Sequence, residues 1–322
     1  MIGAKVFAEG IAKQIKEYLP PEYADIECQV IETQKNNGVR LSGVNFRMPG
    51  QELSPTIYMD SFYNEIRQGK EIGEVMRAIV GVVEESMKVP FKAEEIRLGN
   101  YEAIKEHLRA VLVNSKENRQ MLDQMPHIET EDLSLIFRLE FPMEDGCGAG
   151  SIKVTNELMK QWGVTVEQLQ NAAFRNMQEA DPPVLADMES IMEESFLGQK
   201  PNNLLENTEG FERDPFEMLY VLTNTRKSQG ASVIMCPGVL NRVSQIFPEG
   251  FYILPSSVHE VLIVPKGTEM EPQELGKIVR EVNQTEVSRV DMLSDRVYEY
   301  DQEKEKICQV PESIERKRGL ER

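Results

Sequence analysis

The side chains of this chain that could do chemistry crowd into one short stretch, Pro255-Ser256-Ser257-Val258-His259-Glu260. A hydroxyl, an imidazole and a carboxylate are the group types of a nucleophile, a base and an orienting acid, so the stretch could serve as a hydrolase site with Ser257 activated by His259. Spacing limits that chemistry. If the chain runs extended from Val258, neighbouring side chains point to opposite faces, so His259 and Glu260 cannot form an orienting pair while Ser257 and His259 can share a face. The flanks also lack the strand–turn–helix surroundings of a Gly-x-Ser-x-Gly elbow. The plainer reading is a turn at Pro255-Ser256-Ser257 with His259 hydrogen-bonding its own loop. Between the two lies a binding surface formed by Ser256, Ser257, His259 and Glu260 together with Asn283.

Elsewhere the chain offers little for catalysis. It holds three histidines and four cysteines in 322 residues. Cys28, Cys147, Cys236 and Cys308 stand apart, with no Cys-x-x-Cys pair and no Cys/His cluster, so neither a zinc site of standard spacing nor a cofactor is expected. Thiols this sparse suit a reducing compartment. His127 precedes Glu129, Glu131 and Asp132, whose oxygens could join an imidazole around a metal; one histidine beside sequential acids reads instead as an exposed loop. His107, next to Glu106 and near Arg109, reads as a helix surface residue. Gly146-Cys147-Gly148-Ala149-Gly150 lacks the Lys-Ser/Thr and the helix of a phosphate-cradling loop and reads as a hairpin turn. Asp60 opens a helix and reads as its cap. The single tryptophan, Trp162, reads as packing at a helix end before Gly163.

The formal charge is −18, from 54 acids against 36 bases. Such a balance repels the phosphate backbone, so direct nucleic-acid binding is not expected, whereas a basic protein would be attracted. Hydrophobic residues make up 40% and charged residues 28%, values of an ordinary globular chain able to bury a core. No basic segment followed by a long apolar run opens the sequence, and no apolar run approaches the ~20 residues that span a bilayer. These features predict a cytoplasmic protein with no membrane association.

The elements that must position the chemistry read as follows. Helices are expected from about Gly3 to Leu19, from Asp60, over 71–87, over 101–112, over 156–162 and from Thr165, whose Gln168 completes a capping box. Asn36-Asn37-Gly38 joins two strands as a hairpin. Strands are expected over 56–59, 133–141 and 151–154. From Asp181 to Glu217 ten acids face only Lys200 and Arg213, and Pro182, Pro183 and Pro201 interrupt the stretch; it reads as a solvated connection containing a helix over 184–196. The last third predicts strands over 218–224, 231–235, 251–254, 258–264 and 297–300, with helices over 238–247 and 271–283. Strands and helices mix without regular alternation, which favours an α+β fold of largely antiparallel sheet in two lobes, 1–130 and 131–301, followed by a charged tail over 302–322.

Several stretches together resemble a known family. They are Tyr220-Val221-Leu222-Thr223-Asn224, Gly230-Ala231-Ser232, Phe251 to Leu262, Asn283, Met292 to Tyr298, Tyr58 to Tyr63 and Asn114 to His127. The chain is similar to the uncharacterised domain of unknown function (DUF) 5688 family of anaerobic Firmicutes, from about residue 5 to 302. The resemblance implies a bacterial cytoplasmic protein, often encoded near mobile elements, with no known substrate, cofactor or catalytic residue. Taken together, the residues argue against an enzyme and for a protein-interaction or binding module. A hydrolase using Ser257 and His259, and an acidic nucleic-acid mimic that binds a basic protein, are the alternatives.

Overall fold

The structure is a computed structural model that describes residues 3–50, 54–88, 98–142, 149–198, 200–208, 211, 219–267 and 270–311. The glycine-rich turn at 146–148, most of the acidic connection beyond 208 and the tail from 312 lie outside those residues. The chain divides into two units, Met1–Ile104 with Phe141–Gly150, and Lys105–Glu140 with Ser151–Arg322. Both combine helices with antiparallel sheet, so the fold is α+β. Among the described residues no helix is long and apolar enough to cross a membrane.

The first unit opens with helix α1 (Ala4–Gln14), continued by a 3₁₀ turn over Ile15–Glu17. Strands β1 (Glu27–Gln34) and β2 (Arg40–Arg47) form the expected hairpin, with Val30 opposite Val44 and Cys28 opposite Phe46. Its turn takes positive φ at Asn37 (56°) and Gly38 (68°), the conformation these residue types tolerate. Strand β3 (Thr56–Tyr58) pairs with β2, and helices α2 (Asp60–Arg67), α3 (Ile72–Lys88) and α4 (Tyr101–Ile104) follow. Val75, Met76, Ile79 and Val83 of α3 share one core with Ala8 and Ile11 of α1 and Val44 and Phe46 of β2. That is the period of the α3 stripe converted into packing. Asp60 departs from expectation. It does not cap α2; its Oδ2 accepts the Ser42 N–H at 2.8 Å and braces β2.

In the second unit, β4 (Leu108–Asn114), helix α5 (Arg119–Leu122), β5 (His127–Thr130) and the larger parts of β6 (Leu133–Pro142) and β7 (Ala149–Lys153) come first. The strands form a sheet in the order β4-β6-β5, with β7 also on β6. Two expectations fail here. The helix expected through residue 112 gives way to β4, where Val111 faces Ile136 and Val113 faces Ser134 across the ladder. Branched side chains fit that pleated surface, and a partner strand outweighs a helical period. His127 opens β5 opposite Ile136 instead of lying in a loop.

Helices α6 (Asn156–Trp162) and α7 (Val166–Ala180) follow, the second started by the Thr165–Gln168 capping box. Next come β8 (Pro183–Asp187), α8 (Met188–Leu197), β9 (Tyr220–Asn224), α9 (Val239–Ile246), β10 (Phe251–Leu254), β11 (Val261–Pro265), α10 (Pro272–Thr285), β12 (Tyr298–Asp301) and β13 (Lys306–Gln309). The six strands lie in the order β13-β12-β10-β11-β9-β8. Residues 184–187 are strand rather than helix because they pair with β9. Gly230–Met235 is a 3₁₀ helix where a strand was expected; residues 230–234 are all buried, and an apolar run has no period to tell the two apart. Within the charged tail, β13 pairs with β12 and buries Ile307. Leu275 and Val279 of α10 pack with Leu254, Val264 and Val297, which fixes the helix on the sheet.

Candidate functional site around His259

The loop that follows β9 is held by its own side chains. Asn224 Nδ2 donates to the Ser228 carbonyl at 2.9 Å, and Asn224 Oδ1 accepts the Ser228 N–H at 3.3 Å. Lys227 (φ 51°) inside this bracket and Gln229 (φ 54°) just after it take the left-handed conformation without being glycine. Such residues cost ~1–3 kcal/mol each and persist where surroundings over-determine them, which is a recurrent property of functional loops. Gly230 then lies so close to β9 that an added Cβ would stand 2.2 Å from Thr223 Oγ1 and 2.6 Å from the His259 carbonyl oxygen.

The Pro255–Glu260 segment links β10 to β11, and His259 sits in this link rather than in a strand. Backbone bonds tie it to two neighbours. The Ala231 N–H donates to the Val258 carbonyl at 3.2 Å, and the Val258 N–H donates to the Asp291 carbonyl at 2.8 Å. Leu293 and Ser294 donate to the carbonyls of Ser256 and Pro255 at 2.9 and 2.8 Å. The imidazole joins the same three segments through its side chain. Nδ1 accepts the Gln229 N–H at 3.3 Å, which leaves the proton on Nε2, 3.3 Å from Asp291 Oδ1.

Ser257 is 5% exposed and its Oγ accepts the His259 backbone N–H at 3.0 Å. Burial pushes the Glu260 carboxyl above its usual range, against the pull of His259 and Ser257. Thus Ser257, Gln229 and Asp291 surround His259 as one polar group, with Nδ1 facing the Gln229 N–H, Nε2 facing Asp291 and the Ser257 oxygen accepting the His259 N–H. Ser256 takes part through its backbone, donating to the Leu254 carbonyl and accepting from Leu293, and Asn283, also 5% exposed, donates from Nδ2 to the Ser294 carbonyl at 3.1 Å. The group can orient a loop and present a partly open imidazole and carboxylate. A Ser257 Oγ–His259 ring hydrogen bond, which a nucleophile–base pair needs, is not among its contacts in the described residues.

His259→Ala should therefore act on the loop. It removes the acceptor of the Gln229 N–H, at a cost of ~1–2 kcal/mol, and the Gln229 amide should exchange with solvent roughly tenfold faster. Unchanged protection of that amide would show that the ring does not hold the loop.

Glu194 of α8 adjoins the same loop through an ion pair with Lys227. Both residues, with Thr223, Asn224 and Lys200, line a cavity of about 270 Å³. A second cavity, of about 490 Å³, is lined by Cys236, Cys308, Asn241, Tyr300 and Glu305. Burial pushes the Cys236 thiol up to about 12, so it is a poor nucleophile. Asn241 accepts from the Tyr300 hydroxyl at 2.7 Å and donates to Glu305 at 3.0 Å.

Sequence reasoning missed an ion network built on two buried carboxylates, Glu140 and Asp181. Arg226 spans Glu140 (2.9 Å) and Asp181 (2.7 Å), Arg109 reaches Asp181 at 3.2 Å, and Arg138 pairs with Glu140. His107 donates from Nδ1 to the Glu140 carbonyl at 3.1 Å. These residues come from β4, β6, the end of α7 and the loop after β9, so no local spacing could reveal them. The odd polar positions in apolar strands, Arg138 and Glu140, were the available signal. Asp132 likewise bonds Ser294 and the buried Tyr298 hydroxyl, whose ionisation is pushed up by burial and by the carboxylate. Among the described residues no group of three or more His, Cys, Asp or Glu side chains is disposed to hold a metal. His127 itself donates from Nδ1 to the Met125 carbonyl at 2.8 Å and sits 3.6 Å from Glu129.

Compared with known proteins, the chain matches over residues 4–302 the model of a family described as a family of unknown function, DUF5688. No curated protein and no solved structure matches it.

Proposed function

For a chain that belongs to the DUF5688 family of unknown function, we propose a binding role: a non-enzymatic, cytoplasmic module that docks a basic protein through α8 and the His259-backed loop. One observation carries the reading. Helix α8 holds Met192 (54% exposed), Phe196 (81%) and Leu197 (66%) in solvent. Met192 and Phe196 are four residues apart and so lie on one side of the helix. Burying a side chain of this size contributes ~1.5–3 kcal/mol, so leaving an aromatic in water at this place is a cost that a partner would remove.

The surroundings favour the chemistry of that partner. Glu189, Glu193 and Glu194 belong to the same helix, and the whole chain carries −18. An apolar anchor inside an acidic field suits a basic protein, with electrostatics setting the encounter rate. The same charge disfavours nucleic acid and anionic membrane surfaces. The Glu194–Lys227 pair joins α8 to the loop bracketed by Asn224 and backed by His259, so His259 and Glu260 extend the docking surface.

A photo-crosslinking residue placed at position 196 tests this. The expected result is a crosslink to a basic protein that weakens as salt rises and disappears in the Met192→Ser, Glu193→Gln double variant. Both positions lie on the surface helix, so the variant should keep its melting temperature within ~0.5 kcal/mol of stability. Crosslinks only to a second copy, or none at low salt, would remove the proposal. Competition by DNA for the same partner would identify it as a nucleic-acid-binding protein.

A further inference from the structure

The six-stranded sheet ends in two edges that are finished differently. At β8 the outer edge is closed. The Leu204 N–H donates to the Leu185 carbonyl at 2.8 Å, Asn203 Oδ1 accepts the Leu185 N–H at 3.0 Å, and Asn203 Nδ2 donates to the Pro183 carbonyl at 2.9 Å. A free edge is a template for another strand, and covering it with a loop is one way a fold blocks that pairing. At the other end, β13 pairs with β12 alone. The Val310 N–H donates to the Val297 carbonyl at 2.9 Å, and bonded pairs alternate along an antiparallel ladder. Cys308 and Lys306 therefore bond to β12, while the N–H and C=O groups of Ile307 and Gln309 point away from it. Among the described residues no backbone group bonds to that outer side.

The cavity of about 490 Å³ lies along this open edge. Lys306, Ile307 and Cys308 all line it. Side chains alternate between the two faces of a strand, so three consecutive residues reach one cavity only where it meets the edge of the strand. Ile307 shares the buried floor with Ile234 and Leu240. Glu129 and Thr130 of β5, an edge strand of the four-stranded sheet, line the cavity too. Its charges are one-sided, with Glu129, Glu131 and Glu305 against Lys306.

We infer that the β13 edge and this cavity take up an extended peptide segment with basic side chains as an added strand. The outward N–H and C=O groups of Ile307 and Gln309 supply the ladder, and side-chain pockets supply the selection, which is how strand addition works elsewhere. An apolar side chain aligned with Ile307 enters the cavity. Lysine or arginine side chains reach the glutamates of its rim on their long stems. An acidic segment would meet three carboxylates there, so charge decides which strand is accepted. The surface shares no residue with α8 or the His259 loop, so it stands or falls independently of that docking reading.

The test titrates the isotope-labelled full chain with a capped hexapeptide of alternating lysine and valine. The controls are a glutamate–valine hexapeptide and the lysine–valine peptide methylated at its backbone nitrogens. The lysine–valine peptide should bind saturably, bind less well as salt rises, and slow exchange of the Ile307 and Gln309 amides several-fold. Both controls should bind roughly tenfold more weakly or worse. Gln309→Pro removes one outward N–H where an edge strand tolerates proline, and should weaken binding roughly fivefold. Glu129→Gln combined with Glu131→Gln, both at exposed positions, should weaken it by a similar factor at an unchanged melting temperature, which keeps the test decisive if Gln309→Pro does not fold. Equal binding of the methylated or the acidic peptide would overturn the inference. So would no saturable binding of the lysine–valine peptide, or binding that leaves the Ile307 and Gln309 amides unchanged. Protection of both amides before any peptide is added would also overturn it, since a second copy or another segment of the chain would then hold the edge.

Discussion

Gly230→Ala is expected to destabilise the protein by about 3 kcal/mol or more, the largest effect of any single added methyl group in the second unit. The methyl would stand 2.2 Å from Thr223 Oγ1, 2.6 Å from the His259 carbonyl oxygen and 2.7 Å from the Asn224 backbone nitrogen. A side chain can swing aside, but two of these three atoms belong to the backbone. One is the end of β9; the other carries the Thr223-to-His259 hydrogen bond of 2.8 Å. Relief must therefore separate the 3₁₀ helix from β9 or push the His259 link away. Either movement disturbs the Asn224–Ser228 bracket and the Gln229 N–H bond to His259 beside it. Denaturant unfolding should show the loss, and the Gln229 and Ala231 amides should lose protection together. A variant with wild-type stability would mean that the loop and β9 do not approach as closely as these distances state.

Glu140→Gln is expected to cost about 3 kcal/mol at neutral pH, the low end for breaking a buried ion pair. The Glu140 side chain is almost fully buried and serves two guanidiniums, Arg138 and Arg226. Removing its charge leaves Arg138 without that carboxylate, while Arg226 keeps Asp181. Burial alone would push the Glu140 carboxyl up; the two guanidiniums outweigh it and hold the group below its usual 4.5. The sign of the pH dependence follows. A carboxylate with a depressed folded value contributes stability that is in place above about 4.5 and is lost as pH falls through the depressed value. The gap between wild type and Glu140→Gln should therefore be full near neutrality and close under acid conditions. Glu260 works in the opposite sense, since its raised value makes the folded state the better proton acceptor as pH falls. Urea melts across pH decide the matter: a gap that stays constant into acid would show that Glu140 does not act through its charge.

Where the chain's own period or turn chemistry was decisive, the sequence was legible. The α3 stripe, the Asn-Asn-Gly hairpin and the Thr165 capping box needed only local chemistry, and each stands in the structure. The failures share one cause. Leu108–Asn114, Pro183–Asp187 and Lys306–Gln309 are strands because a partner strand lies beside them, and nothing within those few residues names the partner.

The candidate site divides the same way. The residue types around His259 marked the stretch, and a turn that hydrogen-bonds its histidine was one of the readings they allowed. Asp291 and Gln229, the partners of the ring, lie about thirty residues away on either side. From sequence alone came the α+β class, the family resemblance, the acidic charge and the segment that holds the imidazole, since these depend on composition, local conformation and residue identity. Only the tertiary structure decided that this imidazole would staple three loops and that four charged groups would meet around Arg226. Hydrogen bonds and ion pairs form between groups brought together by the packing of distant elements, and distance along a chain carries no record of that packing.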